Sequence, residues 1–294
     1  MMQRGASALA DGSGFPTGLR YMVTGAFFFS VMSLLVKVAG QRLPSQEIVL
    51  ARSVIMAVLA YAVLRRRGIA VLGIRRRLLV VRGLLGFGAL SCFYYALIHL
   101  PLADATVLQY TNPAFAAILA IVFLGEGMRR REVVSVTLSL AGVVLVARPT
   151  LLFGAGSALD PVAVGVGLLG AALSGAAYVV VRMLGTEHYM VVIFYFAVIS
   201  VIASLPMALL HAVMPSPLEL LILAGVGAST HAGQVFMTRG LHLERAGRAT
   251  AAGLVQIVFA AAWGGIVFGT IPGGTGILGG TLVIAGVLLL GRRS

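Results

Sequence analysis

Ten successive apolar stretches, each close to the roughly 20 residues that carry a helix across a hydrocarbon core about 30 Å thick, constrain this chain more than any motif. Read with their punctuation they run from Leu19 to Gly40, Pro44 to Leu64, Leu78 to His99, Pro101 to Leu124, Glu132 to Ala147, Asp160 to Leu184, Tyr189 to His211, Pro217 to Gly240, Arg245 to Gly269, and Gly273 to Gly291. With 60% of 294 residues hydrophobic, 11% charged and a mean hydropathy of +1.03, a water-soluble domain has too little polar surface to cover this material. The expected fold is an all-α integral membrane protein of ten transmembrane helices. The Gly/Ser/Ala-rich residues 1–18 read as a mobile tail, and the apolar run after them is too long for a signal peptide and lacks a convincing cleavage site.

The net charge of +13 is a topological signal. Six arginines fall between Arg65 and Arg77, and with the amino terminus in the cytoplasm 18 basic residues lie inside, Arg82 among them. Lys37, Arg42, Arg52 and Arg148 lie outside. The positive-inside rule therefore places both termini in the cytoplasm. No reading element accompanies the arginines, so nucleic acid is not an expected partner. Single Cys92 excludes an internal disulfide, and no ligand-spaced His/Asp/Glu cluster or catalytic motif calls for a metal, cofactor or enzyme activity. "GVGLLG" at Gly165 fits a dinucleotide-binding pattern but lies within a span with no strand before it.

An internal repeat organises the spans. "FYYALIHLPLADAT" from Phe93 lies over "FMTRGLHLERAGRAT" from Phe236 at an offset of 143, and "AGVVLVA" at Ala141 answers "AGVLLLG" at Ala285 at 144. Residues 19–147 and 160–291 form the two repeats, joined by an outer linker at 148–159. Five spans per repeat is odd, so the second is expected upside down relative to the first, with a site between them near the midplane.

This layout, with "NPAF…IVFLGE" from Asn112 to Glu126 and the two "AGV" endings, resembles the EamA-type family of the drug/metabolite transporter superfamily over Leu19 to Gly291, most nearly the YddG-type exporters of aromatic amino acids. The resemblance implies a bacterial inner-membrane carrier of small molecules, with preference for amino acids. Where the first repeat has Glu126, the second has Thr270, so Glu126 reads as structural.

Polar residues inside spans mark the expected path. Ser91, Tyr95 and His99 form one face of the third helix, with Tyr94 beside them; His231, Gln234 and Thr238 form one face of the eighth. Ser33 and Lys37 extend a stripe from Ser30, answered by Ser174, Tyr178 and Arg182. Gln109 and Asn112 precede or border Pro113, which frees the Gln109 carbonyl, while Gln256, Phe259 and Trp263 share a side of the ninth helix. The expected substrate-binding set is Tyr94, Tyr95, Gln109, Asn112, Tyr178, His231, Gln234, Gln256, Phe259 and Trp263, with Ser33, Lys37, Ser91 and Thr238 lining or gating the cavity. The fifth and tenth helices are expected away from it, the tenth packing through Gly276 and Gly280.

All nine acidic residues lie in the tail or near helix ends. A carrier exchanging organic cations for protons wants a carboxylate deep in the membrane, so its lack points to neutral or zwitterionic solutes such as amino acids, exported by alternating access. A broad-specificity drug or metabolite exporter is the alternative, ahead of a passive pore or a membrane enzyme.

Overall fold

The computed structural model describes residues 15–100, 102–148, 152, 159–210, 213–269 and 273–291. The outer linker from 149 to 151 and 153 to 158, His211, Thr270, Arg292, Arg293 and the first fourteen residues of the tail lie outside the described residues. Among the described residues twelve helices carry the fold: α1 (Thr17–Ala39), α2 (Ser45–Arg66), α3 (Arg76–His99), α4 (Leu102–Gln109), α5 (Asn112–Leu124) and α6 (Arg130–Ala147). They are followed by α7 (Pro161–Met183), α8 (Tyr189–Leu210), α9 (Pro217–Leu243), α10 (Ala246–Gly253), α11 (Gln256–Phe268) and α12 (Gly274–Gly291).

Local chemistry sets the boundaries. Asp160 accepts from the Val162 amide at 2.9 Å and Pro161 supplies the first position of α7, where a missing N–H costs nothing. Ser216 and Glu219 form a reciprocal capping box before Pro217 starts α9. Gly125 and Gly269 end α5 and α11 in the left-handed region, at φ 65° and 66°, where a side chain is strained.

The repeat is visible as matched lengths. α1 and α7 have 23 residues each, α2 and α8 22, α4 and α10 8, α5 and α11 13, and α6 and α12 18. Packing follows the same two-fold pattern: α1 lies on α9 as α7 lies on α3, α2 meets α8, and α6 meets α12.

Nine spans, not ten, are long and apolar enough to cross a membrane among the described residues. The exception is α6, whose 18 residues begin with the charges of Arg130, Arg131 and Glu132. Two further expectations are corrected. The fourth and ninth apolar runs are not single helices: each breaks, at Tyr110–Thr111 and at Leu254–Val255. Pro113 has no N–H to give the Gln109 carbonyl and its ring crowds that carbonyl, which accounts for a helix ending at Gln109 and a new one starting with proline in its first turn; the second break has no proline. The tenth helix does not pack through Gly280, which faces open space. Instead α6 and α12 meet at Gly142 and Gly279, where a Cβ on either would stand 2.5 Å from the other's carbonyl oxygen, and Ser135 Oγ donates to the Gly286 carbonyl at 2.6 Å.

Candidate functional site

The two helix breaks occupy equivalent places in the two repeats, and Gln109, Asn112 and Gln256 stand at their edges. α4 ends at Gln109 and α5 begins at Asn112, which is 9% exposed; α11 begins at the half-buried Gln256. Tight turns bridge the gaps, with Thr111 accepting from the Ala114 amide at 3.0 Å and Leu254 from the Ile257 amide at 3.2 Å. Broken helices in matching positions of two repeats are the feature with which carriers expose backbone and polar groups to a solute.

Each broken span makes a cross-repeat hydrogen bond, the first at the break itself and the second two turns beyond it. Gln109 Nε2 on α4 donates to Ser174 Oγ on α7 at 3.0 Å, and Trp263 Nε1 on α11 donates to Ser30 Oγ on α1 at 3.0 Å. Ser30 and Ser174 hold the same position in their 23-residue helices, so one serine in each repeat receives a donor from the other. Around Trp263, Phe27 lies 6.0 Å away between ring centroids and stands edge-on to Phe259 at 5.6 Å, forming an aromatic wall on the α1–α11 side. Tyr178, one turn beyond Ser174, is within electrostatic range of Tyr110 at the first break.

The α9 residues form a third group. Gln234 is 9% exposed and Thr238 fully buried, and Gln234 Oε1, Thr238 Oγ1 and His231 Nδ1 are buried without partners, as is Gln109 Oε1. His231 lies by the Met56 carbonyl of α2. Unused polar capacity of this kind is costly to bury and is available to a solute.

Other expected residues sit apart. Tyr95 is 37% exposed and stacks on His99 of its own helix at 4.1 Å, so it does not mirror the buried Thr238 that the repeat alignment sets against it. The α3 residues that meet the α7 glycines are Ala89, Cys92, Phe93 and Ala96. Tyr94 is half-buried, in electrostatic range of Arg52. Ser91 is half-buried, and Ser33 satisfies its hydroxyl on the Phe29 carbonyl at 2.9 Å. Lys37, exposed at the end of α1, holds its ammonium 4.3 Å from the centre of the Phe268 ring.

Two residues assigned by sequence to membrane orientation lie inside the bundle. Arg52 is 7% exposed and Arg82 3% exposed. The available signal was their setting: each stands alone in an apolar run, Arg82 between "LLVV" and "GLLGFG", whereas the loop arginines are clustered.

The bundle ends are stitched differently. At the end bearing the arginine-rich loop, Glu126 accepts from Arg182 Nε at 2.9 Å and from the Ala246 amide at 3.1 Å, while Arg182 also donates to the His242 carbonyl at 2.7 Å. Arg245 pairs with Glu132 at 2.9 Å and Arg248 with Glu244 at 3.0 Å. Burial raises the Glu244 carboxyl above its usual range against the pull of Arg248; burial and the positive charges of Arg67 and Arg239 lower His188. Glu187 accepts from the Ile74 and Arg75 amides, at 2.7 and 2.5 Å. At the opposite end Arg42 pairs with Glu219, and Glu47 accepts from the Val213 amide at 3.0 Å. Among the described residues no group of three or more metal-ligating side chains occurs.

Comparison with known proteins agrees with this architecture. The pseudopaline exporter CntI of Pseudomonas aeruginosa is 34% identical over 94% of this chain and 96% of its own length. The S-adenosylmethionine uptake transporter of Rickettsia prowazekii is 25% identical over 72% of this chain and 70% of its own. A solved crystal structure superposes with a TM-score of 0.79 at 19% identity, over 94% of this chain and 96% of that one, which shows a shared fold. These relatives' names point to transport of small molecules and not to catalysis, and neither names an aromatic amino acid. The EamA-like transporter family matches residues 16–148 and again 162–292, so the chain belongs to that family and is a multi-pass membrane transporter built from two EamA repeats.

Proposed function

We propose that this protein exports zwitterionic or neutral small metabolites, amino acids with aromatic side chains among them, from a bacterial cytoplasm by alternating access. The reading takes α6 as a tenth crossing, which sets the second repeat upside down relative to the first and leaves both termini in the cytoplasm of an inner-membrane protein. The carrying observation is the pair of helix breaks in equivalent positions, with a cross-repeat hydrogen bond from each broken span to the matching serine. An aromatic side chain fits the wall of Phe27, Phe259 and Trp263; amides at Gln109, Asn112, Gln234 and Gln256 supply donors and acceptors for its polar end.

Among the described residues the carboxylates lie at helix ends, most of them engaged with arginines or backbone amides, which supports transport down the solute's own gradient. Export is favoured by the CntI relative, whose similarity covers nearly both full chains. The test is a comparison of Gln109→Ala, Gln256→Ala and Thr281→Ala in proteoliposomes loaded with labelled aromatic amino acids. The first two are expected to raise the half-saturation concentration roughly fivefold to a hundredfold, equivalent to about 1 to 3 kcal/mol. Thr281, which bonds the Leu278 carbonyl of its own helix on α12, is expected to leave it unchanged. Equal values for all three variants at equal protein abundance contradict the proposed site.

A further inference from the structure

Of the two interior arginines that the function above does not use, Arg52 donates to Met32 Sδ at 3.8 Å, and Arg82 is the one with buried nitrogens left unpartnered. It stands six residues inside α3, roughly 9 Å from the helix start at 1.5 Å per residue, close enough for its side chain to extend back to the interface. A side chain on a helix also leans naturally toward the amino-terminal end, which here is the interfacial end. Arg82 does neither. Its Nη1 lies against Gly86, one turn deeper, in the space a side chain at that position would fill, and its guanidinium carbon sits 4.5 Å from the centre of the Phe196 ring on α8. The residue is 3% exposed.

The guanidinium in that place is poorly satisfied. Nε and Nη1 are buried and have no hydrogen-bond partner. Its electrostatic neighbour is the Tyr178 phenol, not a carboxylate. Arginine cannot escape the cost by losing its proton, and a ring face compensates a buried cation only in part. Tyr178 in turn lies within range of Tyr110 at the first helix break, and one turn from the Ser174 that holds Gln109. A cation with free, fork-shaped donors therefore borders the same polar tract as the break.

We propose that Arg82 is the carboxylate-binding group of the transport site, with Tyr178 beside it as a second donor. The site then takes solutes that carry a carboxylate, and an amino acid binds with its carboxylate on Arg82 and its side chain toward the Trp263 wall. The planar fork fits a carboxylate through two parallel N–H bonds, which a lysine ammonium cannot reproduce. The inference rests on the amino acid reading above and adds to it a recognition element.

The test measures half-saturation for transport of phenylalanine and, by competition, of phenylalaninamide and phenylethylamine, which lack the carboxylate. Wild type is expected to favour the acid. Arg82→Gln is expected to lose at least tenfold for phenylalanine with little change for the two amines, and Tyr178→Phe to lose a smaller factor in the same direction. Should Arg82→Gln reach the membrane in low amount, Arg82→Lys keeps the charge and is expected to lose severalfold for the acid alone. A folded variant of either kind that keeps the wild-type preference for acid over amide overturns the inference while leaving the transporter reading intact. A wild-type protein that transports none of the three overturns the amino acid reading and the inference with it.

Discussion

Trp263 shows how one side chain serves both shape and chemistry. Its indole N–H reaches Ser30 across the repeat boundary at 3.0 Å, and its ring meets Phe27. Trp263→Phe keeps most of the wall and removes the donor; it is expected to raise the half-saturation concentration for an aromatic amino acid by roughly two- to tenfold, the worth of about one net hydrogen bond. Trp263→Ala removes the wall as well and is expected to cost more. Transport assays normalised to protein in the membrane check both, and an alanine variant with unchanged affinity would place this ring outside the solute's path. The sequence made such residues legible because a polar or amphipathic side chain inside a span is expensive and so stands out. It did not separate Tyr95 from Thr238, since the repeat gives both the same address and only packing leaves one exposed and the other buried. It misplaced Arg82, because an arginine near a helix end reads as an orientation signal until its side chain is seen to bend inward.

At the scale of helices, length and hydropathy made α1, α2, α3, α7, α8, α9 and α12 legible to within a few residues. The breaks at Tyr110 and Leu254 were not: at the first, Gln109 and Asn112 read as lining residues of one span, with Pro113 freeing the Gln109 carbonyl, and at the second the run stays apolar through Leu254 and Val255 with no proline to mark it. Helix pairing was likewise hidden: glycines at spacing four on α12 pointed to Gly276 and Gly280, whereas register against α6 selects Gly279. Gly279→Leu is expected to force α6 and α12 apart and sharply reduce folded protein, while Gly280→Leu, facing open space, is expected to be tolerated; fluorescence-detected size-exclusion chromatography compares them. Glu126 ties the α5 end to α7 and to the start of α10. In the second repeat the corresponding place near Phe268 holds the Lys37 cation–π contact. Glu126→Gln weakens closure at its own end only and is expected to speed labelling of a cysteine at position 238, in a Cys92→Ser background, by roughly five- to thirtyfold from that side, for a shift of about 1 to 2 kcal/mol. Unchanged labelling would reduce the Glu126 pair to a static brace.

The whole molecule is a two-fold arrangement of matched helices whose ends differ in charge. The arginine-rich end gathers the starts of α3, α6 and α10 and the end of α7, so a carboxy-terminal fluorescent protein that folds only in the cytoplasm is expected to light up, and alkaline phosphatase fused there to stay inactive. On the proposed mechanism the two repeats alternate access to a shared site without an ion to drive them. Counterflow tests it most directly: purified protein in liposomes preloaded with unlabelled phenylalanine, at equal pH on both faces and with ionophores present, receives a trace of labelled phenylalanine outside. Transient accumulation of label above equilibrium is expected, saturable and unaffected by collapsing or imposing a pH gradient. Label that only equilibrates would indicate a pore, and accumulation that appears only with a proton gradient, and vanishes in His231→Gln, would contradict uncoupled exchange.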